Sequence, residues 1–214
     1  MYLNDILITS ETVHEGLAKI EETLKTLRKS HMKLRLEKCK FLFTHLAYLG
    51  HKISQEGVRP GQSKTEAVEN FPRPKTHKQV RQFLGLVSYF RKFIKQFGVI
   101  STPLTRLLQK NVPFTWGENE ENAFRKLKQK LAEKPVLAIY QVQAKTEVHT
   151  DASKDGLGAT LLQEQPDGSM RPVMFYSQRT TDAESAYHSY ELETLAIVRA
   201  LQRFRPITCM ARTS

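Results

Sequence analysis

At Pro135 the spacing of apolar residues in this chain changes period, and that change restricts the fold more than any other feature of its 214 residues. Before it, apolar residues recur at intervals of three and four. Val13, Leu17, Ile20, Leu24 and Leu27 line one face of an amphipathic helix. Phe71-Pro72-Arg73-Pro74 then leads to Thr76, an N-cap. The helix it starts carries Val80, Phe83, Leu84, Val87, Phe90 and Ile94 toward a core and is expected to run on to Gly98. Ser101-Thr102-Pro103 repeats the start signal, a cap followed by proline at the first helical position. A further helix is expected from about Glu118 to Ala132.

After Pro135 the pattern alternates. Strands are expected at Glu147–Thr150, Ala159–Gln163 and Val173–Ser177, joined by glycine-containing turns, with a last helix from Ser185 to Phe204. At the other end, Tyr2-Leu3-Asn4-Asp5-Ile6-Leu7-Ile8 reads as a tight hairpin with its acid in the turn. Strand-like pieces follow at Leu34–Leu36, Phe41–Phe43 and Ala47–Ile53, broken by Gly50 and Gly57. Helical and strand tracts are segregated, so the expected class is α+β.

Charge narrows the function. Thirty-three Lys and Arg against 22 acids give a net charge of +11, a balance that suits a polyanionic partner, of which nucleic acid is the commonest. The excess is uneven. From Asn70 to Gly117 there is no Asp or Glu, yet the stretch holds nine basic residues: Arg73, Lys75, Lys78, Arg81, Arg91, Lys92, Lys95, Arg106 and Lys110. A solvated helix face mixes both signs, whereas an acid-free segment fits a surface that meets phosphates. No apolar run reaches the roughly 20 residues of a membrane span. Cys39 and Cys209 have neither metal-ligand spacing nor a disulfide framework, which points to a reducing compartment.

Four motifs in order carry a family resemblance across nearly the whole chain. Tyr2-Leu3-Asn4-Asp5 stands where reverse transcriptases have a Tyr-x-Asp-Asp hairpin. Tyr48-Leu49-Gly50-His51, followed by Ile53-Ser54 and Gly57, resembles the Tyr-Leu-Gly-His hairpin of Ty3/gypsy-type retroelements. Phe83-Leu84-Gly85-Leu86 with Tyr89-Phe90-Arg91-Lys92-Phe93-Ile94 is similar to their thumb helix. Thr150-Asp151-Ala152-Ser153 with Gly156-Leu157-Gly158-Ala159 resembles the first two strands of their RNase H domain. The resemblance implies a segment of a retrotransposon Pol polyprotein: the end of a palm with a primer-grip-like hairpin at 1–58, thumb and connection at 59–140, and an incomplete RNase H-like sheet at 141–206. Residues 207–214 match no expected element.

Both family chemistries rest on carboxylates that hold Mg²⁺. The resemblance makes Asp5 the remaining palm ligand, beside an Asn4 that offers an amide oxygen without charge. Asp151 becomes the first RNase H ligand, and the Glu-x-x-Ala-Ile core makes Glu193, rather than Glu191, the helix-borne one. The plainer readings are turn-formers for the two aspartates and a solvated helix residue for Glu193. Two-metal hydrolysis needs about four carboxylates, and the family's others lie outside this segment. RNA-directed DNA synthesis is therefore not expected of the chain alone, and hydrolysis of RNA in RNA–DNA hybrids is expected to be impaired.

Gly50 and His51 are the expected primer-grip contacts, the plainer alternative being a glycine-kinked strand with a capping histidine. On the thumb helix Gly85 leaves room for a duplex minor groove, with Tyr89 on the same face and Arg81 and Lys92 flanking it for the phosphate rails. Residue spacing equally allows Gly85 to serve helix–helix packing and Tyr89 to be half-buried core; the resemblance favours duplex binding. The expected partners are an RNA–DNA hybrid or DNA primer–template and the rest of the Pol polyprotein, with no membrane. An intracellular site, cytoplasmic or nuclear, follows from the family. A second reading from another class is a non-catalytic, basic nucleic-acid-binding remnant or domesticated fragment, which keeps the thumb surface without the carboxylate clusters.

Overall fold

A computed structural model describes residues 5–209, and they form mixed helix and sheet, as the change of period requires. The order is α1 (Val13–Lys29), β1 (His45–Tyr48), β2 (His51–Ser54), β3 (Gly57–Pro60), α2 (Gln62–Glu69), α3 (His77–Ser88), α4 (Phe97–Ile100), α5 (Thr102–Arg106), α6 (Glu118–Ala132), β4 (Thr146–Ser153), β5 (Gly156–Glu164), β6 (Met170–Arg179), α7 (Asp182–Ser185) and α8 (Ser189–Cys209). Among the described residues no helix is long and apolar enough to cross a membrane.

Two antiparallel sheets, β1-β2-β3 and β4-β5-β6, flank a helical body. The body is one core of Val68, Val80, Phe83, Val87, Phe90, Phe93, Ile94, Leu104, Phe124, Leu127 and Leu131, all at most 5% exposed. Thr76 caps α3 by accepting from the Gln79 N–H, and α6 has the expected bounds. Each sheet is tied to the chain around it by hydrogen bonds to backbone groups. Val58 and Leu137 exchange hydrogen bonds at 2.8 and 2.9 Å, joining β3 to the segment that leads into β4. Fully buried Gln163 secures that segment to β5: its amide accepts from the Gln141 N–H at 2.7 Å and donates to the Gln141 carbonyl at 2.6 Å.

The second sheet is covered on its two faces by different neighbours. Leu192, Ala196, Ala200 and Phe204 of α8 are buried on the side of Leu157, Ala159 and Leu161. The opposite side meets the helical body. Phe175 packs on the main core, Arg91 donates to the Ser177 carbonyl at 3.0 Å, and the Gly98 N–H donates to Ser177 Oγ.

Several expectations give way. Leu34–Leu36 and Phe41–Phe43 form no strands: Leu36–Lys38 is a single 3-10 turn, and Leu42 is left-handed at φ 58°. Alternation without a partner strand leaves backbone groups unpaired, which is why those residues do not extend. The N-terminal hairpin falls partly outside the described residues, and residues 5–10 have no strand. Ala47–Ile53, by contrast, is broken at Gly50 as expected: it spans the end of β1, the Leu49–Gly50 turn and the start of β2. The helix from Thr76 stops at Ser88 instead of Gly98, because non-local bonds take over: Tyr89 Oη donates to the Leu49 carbonyl, and Arg91 reaches β6. Ser101 makes no side-chain cap bond. The last helix divides at Ala186–His188 and then runs through Pro206 to Cys209, so 207–209 continue a helix that was expected to end at Phe204.

Candidate nucleic-acid interface and carboxylate sites

Helix α3 buries Val80, Phe83, Leu84 and Val87, which leaves Lys78, Arg81, Gln82 and Gly85 on its outer side. A methyl group built on Gly85 meets no atom within 4 Å. Close packing against a neighbouring helix is therefore not what this glycine serves among the described residues. An exposed glycine inside a helix costs about 1 kcal/mol relative to alanine, so its use points outward, to a surface that approaches the backbone. Tyr89 follows one turn later at 37% exposure. Lys78, Arg81, Lys95, Arg106 and Lys110 are exposed and make no ion pair among the described residues, whereas Arg73 is tied to Glu121 at 3.3 Å. Lys92 does not flank the Gly85 line as expected. It lies in a 3-10 turn beyond the helix, half-buried, with its ammonium 5.2 Å over the Phe93 ring.

The β1–β2 hairpin closes on Leu49 and Gly50, both left-handed at φ 45° and 70°, as a two-residue type I′ turn demands. Glycine takes that conformation freely; leucine does not, and the Tyr89 hydroxyl bond to the Leu49 carbonyl holds it there. The Gly50 carbonyl accepts from the Gly61 N–H at 2.9 Å. A methyl group on Gly61 would come within 2.5 Å of that oxygen, so the close approach needs glycine at 61.

His51 lies beneath this turn. Its ring stacks on Tyr89 with centroids 5.3 Å apart and 16° between planes, and Phe93 and Phe90 follow at 5.5 and 6.1 Å. Nδ1 is buried without a hydrogen-bond partner. Burial, then the charges of Lys92 and Lys64, depress its pKa from 6.5 to about 4. At neutral pH it is an uncharged aromatic component of the junction and supplies no cation to a phosphate. The unfolded chain takes up a proton near pH 6.5 that the folded chain refuses until about pH 4. Folding stability should therefore fall as pH drops through that window. Urea unfolding at pH 7 and pH 5 checks this: the difference should shrink in His51→Gln, and an unchanged difference would remove His51 as its source.

The carboxylates expected as metal ligands, Asp5 for the palm site and Asp151 with Glu193 for the RNase H site, are all exposed. Asp5 is exposed, and its backbone carbonyl accepts from Tyr48 Oη at 3.0 Å. Asp151 is an exposed residue of β4, paired with Gly158. It is on the sheet side that meets the helical body, and Gln96 Nε2 donates to its Oδ2 at 3.4 Å. Together with Lys95, His149, Thr160 and Tyr176, these residues line a cleft of about 310 Å³. Glu193 is exposed near the start of α8. Glu191 is used locally: its carboxylate accepts the His188 N–H at 2.8 Å, a capping contact that separates the two glutamates. Among the described residues no group of three or more His, Cys, Asp or Glu is placed to hold a metal ion. That donor set does not fit a two-metal centre, which needs about four carboxylates. Lys64 and Gln96 carry no signal in the sequence, because nothing local announces a contact made across 25 or 55 positions.

Residues 116–214 match the RNase H-like domain found in reverse transcriptase. Over 204 residues the chain is 34% identical to the transposon Tf2-3 polyprotein of Schizosaccharomyces pombe, covering 95% of this chain and 15% of that polyprotein. The Tf2-7 polyprotein of the same yeast is 33% identical over the same share. The chain thus spans about 15% of the length of these relatives. In structure it is similar to foamy viral protease-reverse transcriptase in complex with RNA/DNA hybrid, with a TM-score of 0.76 at 22% identity over 92% of this chain and 27% of that one. A second foamy viral structure, in complex with double-stranded DNA, gives 0.78 at 22% identity over 94% and 35%. At that identity the likeness is one of fold.

Proposed function

We propose that this chain, which matches the RNase H-like domain found in reverse transcriptase and is 34% identical to the Tf2-3 polyprotein over 95% of its length, belongs to the reverse transcriptase and RNase H part of Ty3/gypsy-type retrotransposon Pol polyproteins, grips duplex nucleic acid for that enzyme and carries only part of each catalytic carboxylate set. Residues 1–58 act as the palm end with its primer-grip-like hairpin, 59–140 as thumb and connection, and 141–206 as the RNase H-like part. The partners are a primer–template duplex or RNA–DNA hybrid and the rest of the polyprotein.

The observation that carries the reading is the open backbone at Gly85, flanked along α3 by exposed Lys78 and Arg81. Helix backbone without side-chain bulk admits a groove edge, and the cations beside it meet phosphates. Asp151 and Glu193 are the residues that would contribute to holding Mg²⁺ in a longer assembly. Polarising the scissile phosphate is what the ion supplies when a full set is present.

A labelled RNA–DNA hybrid in Mg²⁺, run beside Asp151→Asn, tests both halves, together with binding titrations at two salt concentrations. Salt-sensitive binding without cleavage is the expected result. Replacing Lys78 and Arg81 by glutamine should lower the salt slope by about one for each phosphate that is no longer neutralised. Cleavage abolished by Asp151→Asn would overturn the view that the chain is catalytically incomplete. Binding that ignores salt would overturn the thumb reading.

A further inference from the structure

The sheet β4-β5-β6 has one covered edge and one open edge. The β6 side meets the helical body, where Arg91 donates to the Ser177 carbonyl and the Gly98 N–H to Ser177 Oγ. β4 pairs with β5 on one side and with no strand on the other among the described residues. Its outward N–H and C=O groups form an open template over the 8 residues Thr146–Ser153.

Beside that edge runs an apolar stripe that nothing covers among the described residues. Helix α8 lies over β4 and β5 and buries Leu192, Ala196 and Ala200 on them. Each residue advances about 100° around a helix, so Arg199 and Leu201 lie on opposite flanks of Ala200. Arg199 is on the flank toward β6, since it reaches Glu184 of α7, the helix that follows β6, at 3.5 Å. Leu201 is therefore on the flank toward the open edge. Ile197 stands there too, one step after Ala196, with Tyr190 two turns before it. Leu201, Ile197 and Tyr190 are 56, 47 and 67% exposed.

The edge is complementary to itself. Val148 and Ala152 of β4 join the apolar clusters under α8, whereas His149 and Asp151 line the cleft on the other face. Antiparallel pairing with a second copy keeps both faces only if even residues oppose even ones and odd oppose odd. A two-fold axis at Thr150 pairs Glu147–Ser153 of each copy, sets Val148 against Ala152, and places His149 opposite Asp151 twice. Neighbouring registers lose this. An axis at His149 puts Glu147 opposite Asp151, an axis at Asp151 opposes that carboxylate to itself, and an axis at Val148 pairs only Thr146–Thr150. Opposite charges across a strand pair stabilise it and like charges do the reverse. Asp151 has no ion pair among the described residues, and His149 has only Glu147, which Lys145 also holds.

We propose that the chain forms a symmetric dimer in which β4 pairs with β4 of a second copy and the two α8 stripes meet above the joined sheet. Paired strands lie about 4.8 Å apart, so a helix over β4 and β5 is about 5 Å from the axis. The two α8 helices then run antiparallel about 10 Å from each other, the distance of packed helices. Two three-stranded sheets become one, and the open edge is closed. Duplex binding and metal play no part in it.

Light scattering of the full chain at rising concentration, beside amide hydrogen exchange, tests the dimer. The mass should double, and the outward amides of β4 should gain protection as it does. His149→Asp sets carboxylates opposite each other and should weaken the dimer about tenfold or more. Adding Asp151→His to that variant reverses the pairs and should recover most of the affinity. Leu201→Glu changes a residue exposed in the single chain, and should weaken the dimer without lowering the melting temperature of the dilute chain. A chain that stays monomeric would overturn the proposal and leave the edge to another part of a longer polyprotein. So would a dimer that ignores both His149→Asp and Leu201→Glu, or one that the double exchange fails to restore.

Discussion

Replacing Gly85 by alanine should raise the melting temperature of the free chain while weakening its hold on a duplex. The first effect follows from helix propensity. Gly85 is exposed within α3, and a methyl group there meets nothing within 4 Å. Gly→Ala at such a position gains about 0.5–1 kcal/mol, and for a chain of this size each kcal/mol moves the melting temperature by about 2–4 °C. The second effect is steric: the added carbon occupies the space through which a groove edge reaches the backbone. Leucine amplifies the split, because overpacking a close contact costs about 1–3 kcal/mol, roughly ten to a hundredfold in affinity. Thermal melts and duplex titrations on the wild type, Gly85→Ala and Gly85→Leu decide it. Unchanged affinity in Gly85→Leu would remove α3 from the interface. A coupled loss of stability and binding would mean that the glycine serves the fold after all.

Gly57→Ala should have the largest effect on stability of any single methyl addition. Gly57 sits at φ 130°, a conformation that side chains rarely adopt, and a methyl there would overlap the Leu137 carbonyl oxygen and approach Val136 Cγ1 to 3.1 Å. That carbonyl is the acceptor of the Val58 N–H, so relief of the clash breaks the pairing that joins β3 to the segment entering β4. Backbone strain and a broken buried pairing together amount to about 2–4 kcal/mol, on the order of 10 °C in melting temperature. Gly168→Ala is the matched control. It too has positive φ, at 77°, but meets nothing within 4 Å, so only turn strain of about 1–2 kcal/mol applies. Equal melting temperatures in the two variants would show that the β3 pairing contributes little.

The resemblance to Ty3/gypsy reverse transcriptases was legible because its motifs are short, contiguous and in order, and the chain is 34% identical to the Tf2-3 polyprotein along 95% of its length. The residues within each motif are another matter. Lys92 belongs to the same run as Gly85 and Tyr89, yet the helix ends at Ser88 and carries it away from their line. His51 belongs to the hairpin motif, yet an aromatic stack with two nearby lysines makes it a neutral ring. The Glu-x-x-Ala-Ile core favours Glu193 over Glu191, but that Glu191 is taken up by a cap on His188 is a contact the motif does not contain.

Local chemistry was enough for Thr76 as a cap, for α6 at Glu118–Ala132, for three alternating strands after Pro135 and for the acid-free basic run. Each of these depends on neighbours within about one helical turn or on a period-two pattern, and such information is written in consecutive residues. Tertiary structure decided what consecutive residues do not contain. It left Gly85 open instead of packed, turned Asp151 toward Gln96 on the sheet side away from α8, and denied Phe41–Phe43 a strand for want of a partner. A side chain's role is set by what the chain brings opposite it, and the residues opposite Tyr89 and Asp151 lie 40 and 55 positions away.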